Sequence, residues 1–155
     1  MQEISKHKLL SAEETFNFTE TYWINKDKAS LTKLINCNLR LVVSRVHELV
    51  NGQNANLVMD FIQEGNIGLI KGIKKFNPYK NNTLATYVQY WIDAELLQAF
   101  RNNQSIRCKA ARKAQIIRRL EKQQEKMRQD GIIDDSLNSL IDDKKSEINY
   151  NTSVT

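Results

Sequence analysis

The sequence predicts an all-α protein: a compact bundle of about five helices with a C-terminal basic helix and a flexible tail. Three observations carry this. The 155-residue chain contains a single proline, Pro78, and long runs free of both proline and glycine. Apolar residues, 41% of the chain, recur at steps of three and four. Short polar turns separate the periodic segments. The length suits one compact domain able to bury a core.

The first helix opens at Ser11, where SAEE forms a capping box with Glu14, and runs to about Lys26. The second spans about Ser30 to Val50, with Leu31, Leu34, Ile35, Leu39, Val42, Val46 and Leu49 along one side, and stops at Asn51-Gly52. The third runs from about Asn56 to Phe76 and ends at Asn77-Pro78. After the turn YKNN, Thr83 starts a fourth that reaches about Arg101. A basic linker leads to the fifth, from about Lys109 to Gln129, closed by Gly131. Residues 130–155 carry six acids against Lys144 and Lys145 and read as a short helix at best, followed by a disordered tail. In that tail Ile132-Ile133 and Leu137/Leu140/Ile141 are either a short docking motif or one side of a hairpin folded back on the body. The expected division is therefore a bundle over 1–104, a basic linker and helix over 105–129, and an acidic, polar tail over 130–155.

Composition excludes several classes. No window reaches the roughly 18 apolar residues of a membrane span, and MQEISKHKLL lacks a signal-peptide apolar core. Cys37 and Cys108 form no metal-ligand pattern and suit reduced thiols in a cytoplasmic protein. His7 and His47 join no Ser/His/Asp, Cys/His or HExxH arrangement. Neither an enzyme, a metal nor a cofactor is expected. Charge points elsewhere. Residues 101–128 hold ten Lys or Arg against Glu121 and Glu125, a local +8 in a chain of net +5. A block of that density is either a solvated helix face or a surface for an anionic polymer.

The stretch DFIQEGNIGLIKGIKKFNP, Asp60 to Pro78, which makes up most of the third helix, holds three of the five glycines although each costs a helix about 1 kcal/mol relative to alanine. At about 100° per residue, Gly65, Gly68 and Gly72 fall within about 60° of one another, flanked by Val58, Phe61, Leu69 and Phe76. Asp60, Gln63, Glu64, Lys71 and Lys74 lie opposite. The glycines thus line a groove that lets a neighbouring backbone approach, and the denser packing offsets the helix penalty. Ile67 is an apolar residue set in the polar face.

On the fourth helix the core stripe reads Leu84, Val88, Ile92, Leu96 and Ala99. Tyr87 points about 120° from it, Tyr90 lies nearly opposite, and Trp91 borders it. Aromatics at helical spacing are usually core. Tyr90 joins the core only if another element covers it, and exposed aromatics beside basic segments suit stacking on unpaired bases, worth about 1–3 kcal/mol each.

DFIQEGNIGLIKGIKKFNP resembles the most uniform segment of bacterial sigma factors of the sigma-70 family, the promoter-recognition subunits of RNA polymerase. NLRLVVSRV (38–46) and TYVQYWIDAEL (86–96) resemble the helices on either side of it in that family, and LLSAEET (9–15) is similar to the start of the preceding region. The likeness covers roughly residues 9–125 and is nearest the heat-shock class. It implies a sigma domain 2-like bundle that binds core polymerase at the β′-subunit coiled coil. The implied docking residues are Asp60, Gln63, Glu64, Asn66 and Ile70, to which the exposure of Ile67 adds an apolar contact. It also implies promoter −10 recognition and melting by capture of non-template-strand bases, with Phe76, Leu84, Tyr87, Tyr90 and Trp91 as the capture surface. Lys74, Lys75, Lys80, Arg101, Arg107 and Lys109 are the candidate phosphate contacts.

The chain departs from the family pattern in places. Leu84 and Tyr90 stand where Phe and Trp are usual, and Asn82 replaces another common aromatic. Asp93 occupies a position usually Arg or Lys and is expected to repel the DNA backbone. Ala94 and Leu97 replace polar residues that read the upstream base pair. Nothing after the basic helix resembles the family's later domains, so the expectation is a reduced factor, which would need an activator or tethering partner in place of −35 contacts, or a truncated remnant. A non-initiating polymerase-binding decoy is the alternative.

Overall fold

The computed structural model describes residues 9–50, 55–102 and 110–129, with positions 135, 138, 139, 142, 143 and 146 beyond them. Five long helices stand in these residues: α1 (Ala12–Asn25), α2 (Lys28–Val50), α3 (Ala55–Lys75), α4 (Leu84–Asn102) and α5 (Ala110–Gln129). The all-α expectation holds, with boundaries within about two residues of those read from the sequence. Arg107, Cys108, Lys109, Gly131 and the apolar pairs of the tail lie outside the described residues. No helix among those described is long and apolar enough to cross a membrane.

Local chemistry sets the ends. Ser11 Oγ accepts from Glu14 N–H at 3.1 Å while Ser11 N–H donates to Glu14 Oε2 at 2.8 Å, the capping box expected of SAEE. α1 closes at Lys26, which sits in the left-handed region at φ 52° and donates its N–H to Tyr22 O at 2.9 Å. A lysine is unusual there. Its ammonium lies over the rings of Tyr22 and Trp23, 5.3 and 4.9 Å from their centroids, contacts worth about 0.5–1 kcal/mol at an exposed site. α2 begins two residues before Ser30, because Asp27 caps it: its Oδ2 accepts from Ser30 N–H at 2.7 Å and Ser30 Oγ–H at 2.6 Å.

α3 and α4 form the most extensive pairing; α2 packs against both, α1 against α2, and α5 against α4. Leu34, Val42 and Val46 of α2, Phe61, Leu69 and Ile73 of α3, and Val88, Ile92 and Leu96 of α4 are buried together. Phe61 and Phe100 close one end, ring centroids 4.4 Å apart. The glycine groove lies where the wheel put it. A Cβ on Gly68 would come within 2.5 Å of the Trp91 carbonyl oxygen and 2.8 Å of Ile92 Cα. On Gly65 it would meet Val42 Cγ1 at 2.6 Å, and on Gly72 Trp91 Cδ1 at 3.0 Å and Val88 Cα at 3.1 Å.

Gly68 is the strictest of the three, since its obstacle is backbone. Gly68→Ala should lower stability by about 1–3 kcal/mol, more than Gly72→Ala, despite the better helix propensity of alanine. Urea unfolding midpoints of the variants test this. A second expectation concerns pH. The Ser30 hydrogen bonds hold the Asp27 carboxyl below its ordinary value. A depressed folded-state pKa means stabilisation that is present above the unfolded value and lost as pH falls through the folded one. Asp27→Ala should therefore lower the thermal midpoint at neutral pH, and the gap to wild type should close as acidification carries the pH below the ordinary carboxylate range.

Candidate polymerase and nucleic-acid interface

The two faces of α3 do different work. Gly65, Gly68, Leu69, Gly72 and Ile73 are buried. Across the helix Asp60 and Gln63 are exposed, Glu64, Asn66 and Ile70 are half-buried, and Ile67 is 44% exposed. All six sequence-predicted docking residues are thus on or beside one surface. Met59, 54% exposed, adds a second apolar side chain toward the start of the helix. It was not among the sequence-predicted residues, although its spacing of eight from Ile67 places both on one face. Asn66 Oδ1 is buried without a hydrogen-bond partner among the described residues. Lys71 leaves this face to reach α4, donating to Glu95 Oε1 at 2.8 Å.

α4 buries the aromatics whose placement the helix wheel left open. From Tyr87 to Leu97 every residue but the half-buried Gln89 is buried. Tyr90, placed opposite the core stripe by the wheel, is 1% exposed, and Tyr87 4%. The condition stated for Tyr90 is met, because α2, α3 and α5 all pack on α4. The near-continuous apolar circumference of TLATYVQYWIDAELLQAF carried the signal, since a helix apolar all round is a buried helix. Leu84 and Phe76 are buried as well. Phe76, Tyr87 and Trp91 form an aromatic row, with centroid separations of 5.5 and 6.5 Å. The Trp91 indole fits the space that Gly72 leaves, and Lys75 Nζ lies 4.5 Å above its ring. Trp91 Nε1 has no acceptor among the described residues, nor has Asn82 Nδ2 a partner.

The expected repulsion of DNA by Asp93 is also corrected. Asp93 is 1% exposed and turned inward, where both its carboxylate oxygens accept from Arg45: Oδ1 from Nε at 3.0 Å, Oδ2 from Nη2. Burial pushes this carboxyl up, against the pull of the Arg45 guanidinium. Arg45 Nη1 also donates to Glu48 Oε2 at 3.0 Å, and the same oxygen accepts from Arg119 Nη1 of α5 at 3.0 Å. The chain of charges Asp93–Arg45–Glu48–Arg119 thus ties α4, α2 and α5 together.

Of the candidate phosphate contacts, Lys74, Lys75 and Lys80 are exposed and cluster where α3 ends and the turn begins. Arg101 stands on the last turn of α4, while Arg107 and Lys109 lie outside the described residues. The turn is held by Asn77: its carbonyl accepts from Lys80 N–H at 3.3 Å and its Oδ1 from Tyr79 N–H at 2.9 Å. Tyr79 donates its hydroxyl to Glu20 Oε1 at 2.9 Å and meets the Phe16 ring edge-on, centroids 6.5 Å apart. The Glu20 carboxylate raises the pKa of Tyr79, which keeps the phenol protonated. On α5, Arg118, Lys122, Lys126 and Arg128 are exposed.

Residues 34–106, from within α2 past the end of α4, match the family described as sigma-70 region 2. These residues, just under half of the chain, carry its likeness to the sigma-70 family. Among curated sigma-70 relatives, RNA polymerase sigma factor SigA of Clostridium acetobutylicum is 39% identical over 99 residues, 64% of this chain and 25% of that protein. RNA polymerase sigma factor SigA of a Bacillus species is 36% identical over 99 residues, 64% of this chain and 26% of that protein. The chain spans about a quarter of the length of these relatives. Both are named SigA, so the narrower likeness to the heat-shock class finds no support in them.

The buried ion pair gives a test of the packing behind this surface. Arg45→Ala strands Asp93 in the core and should cost about 3–5 kcal/mol, whereas replacing both residues with apolar ones of similar volume should recover most of that. Chemical denaturation of the single and double variants checks it.

Proposed function

We propose that this chain is a sigma factor that binds core RNA polymerase through the exposed face of α3 and directs recognition and melting of the promoter −10 element. The observation that carries it is the division of α3. A groove of glycines sinks one side into α4, and this leaves Asp60, Gln63 and Ile67 on the free side of the helix with the half-buried Glu64, Asn66 and Ile70 beside them. Carboxylates and amides so placed suit charge-assisted bonds to Arg or Lys on the β′ coiled coil. The kinship with two SigA proteins supports the same assignment.

The DNA-facing surface follows from the end of α3. Lys74, Lys75 and Lys80 supply phosphate contacts beside the row of Phe76, Tyr87 and Trp91. Extruding a base costs a few kcal/mol, so A·T-rich steps are the cheapest to open. Because Tyr87, Tyr90 and Trp91 are packed, a captured base must also displace some of that packing. Contacts made by polymerase have to cover the difference. The same burial favours a second reading, a polymerase-binding decoy that never opens DNA.

Transcription in vitro with core polymerase separates the two. An initiating factor opens an A·T-rich promoter, while a decoy only lowers transcription by a competing sigma factor. Asp60→Lys with Glu64→Lys should weaken polymerase binding tenfold or more, at about 1.5–3 kcal/mol for each charged hydrogen bond removed. Tyr87→Ala with Trp91→Ala, checked for retained helicity, should keep polymerase binding and lose promoter opening. If charge reversal leaves polymerase binding unchanged, the docking face is misassigned.

A further inference from the structure

Tyr79 is 60% exposed, yet its position is fixed from three directions. Its backbone N–H is tied to Asn77 Oδ1, its hydroxyl to Glu20 Oε1 of α1, and its ring to that of Phe16, itself 42% exposed, in a T-shaped contact. Buried Pro78 sets the backbone just before it. A surface tyrosine ordinarily keeps its rotamer freedom. Here that freedom is already lost before any ligand arrives, which removes some of the ordering cost of binding to its face.

We propose that the exposed ring of Tyr79, braced by Phe16 and Glu20, is a stacking platform for an unpaired base of the promoter strand. The proposal rests on the sigma-factor reading and extends the strand path beyond the row of Phe76, Tyr87 and Trp91. Two features select a nucleic-acid strand as occupant. Charge is the first: Lys80 follows Tyr79 directly, and Lys74 and Lys75 end the helix that leads into the same turn, so phosphates on either side of a stacked base meet cations. Continuity is the second, since only Asn77 and Pro78 separate Tyr79 from Phe76. Unlike the buried Tyr87, Tyr90 and Trp91, Tyr79 is already largely open to solvent, so stacking on it displaces no core packing. Glu20 does not oppose the strand from the front, because its carboxylate is turned to the hydroxyl end of the ring.

The test uses the full chain assembled with core polymerase, and a single-stranded non-template oligonucleotide carrying 5-iodouracil at successive positions. Irradiation should cross-link one position to the peptide that contains Tyr79. Tyr79→Leu should abolish that cross-link and weaken oligonucleotide affinity about 5- to 100-fold, the equivalent of one stacked base. Tyr79→Phe, which keeps the ring and loses only the Glu20 bond, should retain most of the affinity. If the wild-type assembly binds the strand and Tyr79→Leu binds it equally well, the platform is refuted while the sigma reading stands. If Tyr79→Leu instead loses retention on polymerase with strand affinity unchanged, the patch is a protein contact and the proposal falls. If the wild-type chain binds polymerase but the assembly never binds the strand, the underlying reading fails as well.

Discussion

The approach of two backbones at Gly68 is the constraint on which the rest of the molecule depends. With only a hydrogen at that position, α3 lies against the Trp91 carbonyl and Ile92 Cα, closer than any side chain would allow. Gly65 and Gly72 extend the contact one turn in each direction, toward Val42 and toward Val88 and the Trp91 ring. The helix that carries the proposed docking face is therefore in direct backbone contact with the helix that holds the aromatic row. Neither can tilt or slide without the other. Proposed polymerase docking and base capture thus share one rigid body.

Much of this was legible in the residues. The glycine spacing located the groove, the SAEE box located the start of α1, and the solvent-facing side of α3 was assigned to the right residues. What failed was the treatment of α4 as a helix with one buried side. The wheel took its stripe from Leu84, Val88, Ile92 and Leu96 and left Tyr90 outside it unless another element covered it, although apolar residues occupy most of the circumference. A wheel ranks directions around a helix but does not count the neighbours that will cover them. Here α2, α3 and α5 all do.

Asp93 was misread for a related reason. A carboxylate on an apolar helix looks like a surface marker until its partner is known, and the partner, Arg45, lies on a different helix 48 residues earlier. Pairing over that distance leaves no local pattern. The surface tyrosine of the turn was equally silent, because its bracing groups, Phe16 and Glu20, come from the opposite end of the bundle sequence. Sequence periodicity resolves what each helix does alone, and tertiary contact decides which polar residues are spent inside.

The shared oxygen of Glu48 has a bearing on how the basic helix responds to its surroundings. One guanidinium on it is sealed in the core, and the other, Arg119, is about half open to water. Counterions screen the outer contact far more than the inner. A polyanion drawing Arg119 away would still leave Arg45 neutralised by Asp93. Detachment of α5 would then stop at the bundle's skin, which lets that helix wander without disturbing the frame it departs from.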